Sequence, residues 1–184
     1  GETASYMDVT AGEYDINVFK SGETSVFASS EAEFEPGKDY TVVITGDVGN
    51  QAVSILSLED DMEPAAAGKA KLRLGHLASF SDILIDTTVD IRHQDGTVLL
   101  EGVRYGDISD YIEVDAGEYD LQITTPGGGT TLLDIIPVTI NAGDRVSLFA
   151  VGNNSNQDLS MFAIYNEFQG FFVSMPAYIR VIHV

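Results

Sequence analysis

The sequence predicts an all-β protein built as two antiparallel β-sandwich units in tandem, and three observations carry that prediction. Apolar and polar residues alternate in short runs punctuated by Gly, Pro, Asn and Asp, and no stretch sustains a capped 3.6-residue apolar period. The phrase A-G-E-Y-D occurs twice, at residues 11–15 and 116–120, inside the longer matching runs Y-M-D-V-T-A-G-E-Y-D-I-N-V and Y-I-E-V-D-A-G-E-Y-D-L-Q-I. The chain has 184 residues, 44% of them hydrophobic, which suffices for one large domain or two small ones, and the repeat favours two.

In chain order, residues 5–9 read as a strand that turns at Ala11-Gly12 and returns through residues 13–20, a β-hairpin signature. Tyr14, Ile16 and Val18 share the core face, and Glu13, Asp15 and Asn17 the wet one. Gly12, like Gly117 in the second copy, is read as supplying a backbone geometry costly for a residue with a Cβ. After a loop at residues 21–24 come strands at 26–34, 40–45 and 52–58, separated by Pro36-Gly37 and by a Gly-Asn turn region at 46–50. Residues 59–69, E-D-D-M-E-P-A-A-A-G-K, have no alternation and the make-up of a linker.

The second unit opens on the strand 70–77, A-K-L-R-L-G-H-L, with one or two strands in 83–92, a Q-D-G-T turn at 94–97 and a returning strand at 98–105. The second A-G-E-Y-D follows, with Tyr119, Leu121 and Ile123 on the core face against Glu118, Asp120 and Gln122. Gly127, Gly128 and Gly129 fill the loop that residues 21–24 filled before, and the strand 146–151 takes the place of 40–45. The predicted core comprises Tyr14, Ile16, Val18, Val42, Ile44, Leu72, Leu74, Tyr119, Leu121, Ile123 and Leu148.

The last residues, A-Y-I-R-V-I-H-V, match the opening strand of the second unit, with Arg180 set against Arg73 and His183 against His76. The expected organisation is therefore a sandwich repeat lacking its opening strands at 1–62, a linker at 63–69 and a complete repeat at 70–165. An apolar linker at 166–177 leads to residues 178–184, the opening strand of a further repeat or a donor strand. Within the apolar linker Phe168, Phe171, Phe172 and Met175 are candidates for a contact with the next repeat or subunit, together with Tyr178, Ile179, Val181, Ile182 and Val184.

With nine Lys and Arg against 29 Asp and Glu, a net charge of −20, the chain cannot assemble a phosphate-binding face, so nucleic acid is excluded as a partner. No run of 18 apolar residues and no basic leader occurs, so neither a membrane span nor a signal peptide is expected within these residues. The absence of cysteine means that no disulfide staples the fold.

No catalytic constellation is visible: there is no Gly-x-Ser-x-Gly elbow, and the triple glycine lacks the Lys-Ser/Thr of a phosphate loop. His76 and His183 lie in phase with apolar neighbours and read as buried imidazoles held by backbone hydrogen bonds rather than metal ligands; His93, beside a turn, reads as solvated. Asp107, Asp110, Glu113 and Asp115 fit no EF-hand spacing, and solvent-facing strand positions explain the last two more simply. No catalytic or metal residue is therefore assigned and no cofactor expected, Ca²⁺ being the one ion the acidic surface leaves open.

The strand R-L-G-H-L and its copy R-V-I-H-V, the segment V-D-I-R-H-Q-D-G-T, the run Y-G-D-I-S-D-Y-I-E-V-D-A-G-E-Y-D-L-Q-I and the later G-D-R-V-S-L-F-A-V-G together resemble the bacterial domain of unknown function 4397 family. The resemblance covers one whole unit, about 70–165, and the later two thirds of the unit before it; the Ser-Pro-Asp-Ala-Pro stretch usual in the family is here A-S-F-S-D. It implies an Ig-like or prealbumin-like sandwich, an extracellular or cell-surface location and no established catalytic activity.

The functional expectation is a non-catalytic structural or adhesive module. Donation of strand 178–184 to the incomplete first repeat of a neighbouring molecule would join such modules head to tail into a filament. The alternative is a Ca²⁺- or carbohydrate-binding surface module within a longer tandem-repeat adhesin, against which the absence of tryptophan counts modestly.

Overall fold

The structure, a computed structural model, describes residues 2–3, 6–47, 49–135, 137–155, 157–165 and 177–183. It is all-β and divides into two units: Gly1–Val48 with Ala52–Glu63 and Gly170–Val184, and Gly49–Gln51 with Pro64–Gln169.

In chain order the first unit contributes β1 (Glu2–Thr3), β2 (Met7–Val9), β3 (Gly12–Phe19), β4 (Val26–Phe34), β5 (Asp39–Thr45) and β6 (Ser54–Asp60). The second contributes β7 (Lys69–His76), a 3₁₀ turn at Leu84–Thr87, β8 (Val89–His93), β9 (Val98–Val103), β10 (Ile112–Asp115), β11 (Gly117–Tyr119), β12 (Leu121–Thr124), β13 (Thr131–Asp134), β14 (Val138–Ile140), β15 (Arg145–Val151) and β16 (Ser160–Tyr165). The chain closes on β17 (Ala177–His183).

The second unit has sheets in the order β10-β7-β15-β16 and β13-β12-β8-β9, with β11 and β14 forming a short ribbon. Ile135 still donates to the Leu121 carbonyl beyond β13, and Pro137, ahead of β14, has no N–H to give the ladder. The core between the layers gathers Leu72, Leu74, Val89, Ile91, Tyr119, Leu121, Ile123, Val146 and Leu148, all buried. At Gly75 a Cβ would stand 2.6 Å from the Phe149 ring, so close approach of β7 to β15 requires glycine there.

The first unit repeats half of this plan. Among the described residues its second layer is the hairpin β3–β4, with no strand paired to β3 as β8 is to β12. Among the described residues its cluster holds Phe34, Tyr40, Val42 and Ile55, all buried, whereas Tyr14, Ile16, Val18 and Ile44, expected in the core, are only partly covered.

The A-G-E-Y-D runs, expected to be hairpin turns, are not. β2 pairs with β17 while β3 pairs with β4; β10 pairs with β7, whereas β11 pairs with β14 and β12 with β8 and β13. Each run carries the chain from one sheet to another. The tyrosine fixes that crossing, its hydroxyl donating to the carbonyl four residues upstream: Tyr14 to Thr10 at 2.5 Å and Tyr119 to Asp115 at 2.6 Å. This is the tyrosine-corner device of Greek-key sandwiches. Alternation on both sides of a glycine is common to hairpin and corner, so the sequence pattern alone could not separate them. Gly12 does adopt a φ of 148°, which disfavours a Cβ, but Gly117 has no positive φ and nothing crowds it.

Candidate functional site

The first unit is completed by a strand from the far end of the chain. β17 lies between β5, with which it runs parallel, and the short strands β1 and β2, with which it runs antiparallel. The registers are Tyr178 opposite Asp39 through His183 opposite Ile44 on one side, and Ala177, Tyr178 and Ile179 opposite Val9, Asp8 and Met7 on the other.

β7 occupies the same slot in the second unit, pairing parallel with β15 from Lys71–Arg145 to His76–Ala150 and antiparallel with β10. When the two copies are superposed in sequence, both registers coincide residue for residue. Arg180 stands opposite Thr41 as Arg73 stands opposite Ser147, and Ile179 opposite Met7 as Leu72 opposite Ile112. β17 thus substitutes in full for the opening strand.

The slot has a physical need for an occupant. Thr41, Val42 and Val43 of β5 are buried on both faces, and without β17 this strand would present one row of backbone donors and acceptors as a sheet edge. The buried carboxylate of Asp60 helps to hold the slot shut, accepting from Tyr6 Oη and Thr41 Oγ1, each at 2.7 Å. In the second unit the position of Tyr6 belongs to Tyr111, over whose ring the Arg73 guanidinium sits at 4.4 Å, and Ser147 Oγ bonds both side chains at 3.1 Å. Alternation within a strand does not disclose these side-chain ties, because their partners lie 36 to 74 positions away.

Of the residues expected to form the contact, Tyr178, Ile179, Val181 and Ile182 fall in β17 and take part in these pairings, within this same chain. Phe168, Phe171, Phe172, Met175 and Val184 lie outside the described residues.

His76 is buried, as the apolar phase of its strand predicts. Its Nε2 is 2.8 Å from the Thr87 carbonyl, to which it donates, and its Nδ1 accepts from the Ala78 amide at 3.4 Å, so the neutral imidazole uses both nitrogens on backbone. Burial depresses its pKa, against the opposing pull of Thr87 and Asp107. His93, expected to be solvated, is half-buried with its ring 5.4 Å from that of Tyr119. His183 has its backbone opposite Ile44 in β17.

Three of the four acids at 107, 110, 113 and 115 serve separate local bonds. Asp107 accepts from the Arg104 amide, Glu113 from the Ala66 amide, and Asp115 pairs with Lys69 at 2.7 Å. Asp110 is exposed.

A hub that sequence reasoning missed is Asp90. Fully buried, it pairs with Arg92 at 2.7 Å and accepts from the amides of Gly102 and Gly127, each at 2.8 Å. Burial raises its pKa, but Arg92 and the two amides outweigh this and hold the carboxyl below its ordinary value. The glycine loop is therefore tied down by its first residue, and Gly128 leaves room for the Arg92 guanidinium, which a Cβ would meet at 3.2 Å. V-D-I-R-H alternates regularly, with Asp90 and Arg92 in the polar phase opposite Val89 and Ile91, so the sequence carries no sign that this acid is buried.

Among the described residues no helix is long and apolar enough to cross a membrane, and no three His, Asp or Glu side chains form a metal-binding group. No curated protein matches the chain. The sequence model of the family described as "Domain of unknown function (DUF4397)" matches residues 1–85 and again 81–184. The chain therefore belongs to the DUF4397 family, as a tandem of two of its repeats.

Proposed function

We propose that this chain is a non-catalytic structural or adhesive module of an extracellular or cell-surface repeat protein, in which the opening strand of one repeat is the element that joins it to another. The observation that carries the reading is the placement of β17: a strand separated by the whole second unit from its sheet partners takes the register that β7 takes locally. Such a strand is interchangeable between donors. Supplied by the same chain it closes the first unit; supplied by a neighbouring chain through the same hydrogen bonds it links molecules head to tail into a filament. The strongly acidic composition suits a protein kept hydrated and apart from nucleic acid and anionic surfaces.

The test is removal of residues 177–183, with mass measurement and electron microscopy alongside. Deletion is expected to abolish protection of the β5 amides against hydrogen exchange while leaving those of β15 unchanged. A peptide of residues 177–184 added in trans should restore β5. A truncated chain whose β5 remains as protected as in the parent would refute the joining role. Fibres in the parent that disperse on truncation would establish exchange between chains, and a monodisperse parent would establish closure within one.

A further inference from the structure

We propose that the outer edge of β3, over Ile16–Phe19, is a docking site for a β-hairpin of the β8–β9 type carried by a further copy of this repeat. The inference rests on β17 being the joining strand of the first unit. Among the described residues β3 has only β4 as a ladder neighbour, so its other edge is open.

The second unit shows what this edge is built to receive. There the corresponding strand, β12, pairs antiparallel with β8, setting Leu121, Gln122, Ile123 and Thr124 opposite His93, Arg92, Ile91 and Asp90. Val89 and Ile91 of β8 enter the core and are wholly buried, as are Leu121 and Ile123 nearly so. In the first unit Ile16 and Val18, at the matching places, remain partly exposed, and Phe19 is half-exposed beside them. The shortfall in burial is the share that β8 would cover.

The loop after β3 preserves the second anchor. Gly22 stands where Gly127 stands, with a φ of 81° against 77°, so its amide is presented in the backbone geometry with which Gly127 holds the buried Asp90 carboxylate.

The order of the chain fixes the nature of the occupant. β7 leads to β8, whose first residue, Val89, is thirteen positions after His76, and β17 is the equivalent of β7. In the second unit the strand in this slot is followed by the β8–β9 hairpin, so a copy of the repeat that supplies the strand has that hairpin to offer next. The hairpin would pair with β3 by strand addition, its acid meeting the Gly22 amide and its two inward apolar residues closing the layer over Ile16 and Val18. A repeat of this kind interlocks with its neighbour through three strands rather than one.

The experiment extends the full chain after Val184, the equivalent of Leu77, with a second copy of residues 78–105 and follows amide exchange by NMR. Docking predicts that exchange at Ile16–Phe19 slows by about tenfold or more and that the Gly22 amide shifts on extension. A matched extension with proline in place of the residue copied from Ile91 should lose both effects. One with alanine in place of the residue copied from Asp90 should lose the Gly22 shift. Unchanged exchange at β3 in a chain whose β17–β5 amides stay protected overturns the docking site alone; loss of β17–β5 protection overturns the joining strand and this inference with it. Slowed exchange that also occurs without the extension and grows with protein concentration assigns the edge to pairing between two copies of β3 and overturns the hairpin.

Discussion

Tyr119 and Tyr14 each donate one hydrogen bond across the point where the chain changes sheets, but they do so in different surroundings. Tyr119 is buried, and burial together with nearby Asp115 raises its phenol pKa, whereas Tyr14 remains partly exposed. Replacing Tyr119 by Phe is expected to cost the second unit about 1 kcal/mol, and Tyr14→Phe less, since water can take the freed carbonyl. Urea midpoints of the two variants check this.

His76 makes stability depend on pH in a definite direction. Its folded pKa lies below the ordinary 6.5, so above pH 6.5 both states are neutral and the residue adds no dependence. As pH falls through 6.5 towards the lowered folded value the unfolded chain takes up a proton first, and the second unit loses stability. A His76→Gln variant should lack that step in a plot of urea midpoint against pH. Asp90, held below its usual value, works in the lower range: its contribution is present above about pH 4 and is lost as pH falls through the depressed pKa. Asp90→Ala strands Arg92 and two amides and is expected to cost roughly 3 kcal/mol.

Element by element, the two copies diverge most at the hairpin β3–β4. Glu13 lies directly opposite Glu33, and Asp15 opposite Glu31, so four carboxylates face one another in two rungs. In the second unit Glu118 faces Thr139 instead. Like charges opposite one another weaken a ladder, so Glu33→Thr is expected to stabilise the first unit by roughly 0.2–1 kcal/mol, with the gain shrinking as salt is added. Thermal unfolding at low and high ionic strength measures it.

At the scale of the molecule the units differ in how they are closed. The second is closed by β7 from its own stretch of chain, whereas the first depends on a strand from the end of the chain, and its Tyr14, Ile16, Val18 and Ile44 are only partly covered. Hydrophobic burial is the main favourable term in folding. Urea should therefore unfold the first unit at the lower concentration and the second later, seen by hydrogen exchange as early loss at β5 and late loss at β15. A single transition with both strands lost together would contradict this.

The sequence by itself determined the all-β class, the tandem repeat and the family, because each is written in local alternation and in the recurrence of A-G-E-Y-D and R-x-x-H. It also placed His76 in an apolar interior, since the phase of K-L-R-L-G-H sets which side of the strand it occupies. Only the tertiary structure decided which strands meet. Period-two alternation fixes the face of a side chain but not the neighbour along the hydrogen bonds, and so a sheet-crossing corner read as a hairpin. The same ignorance of partners concealed that Asp90 gathers amides 12 and 37 positions away, and that Ile16 and Val18, among the described residues, have no counterpart of the strand that pairs with Leu121 and Ile123. The destination of β17 was likewise open. Its hydrogen-bonding groups fit any copy of the slot, and it is the backbone register in this chain that sets Ile179–His183 against Tyr40–Ile44.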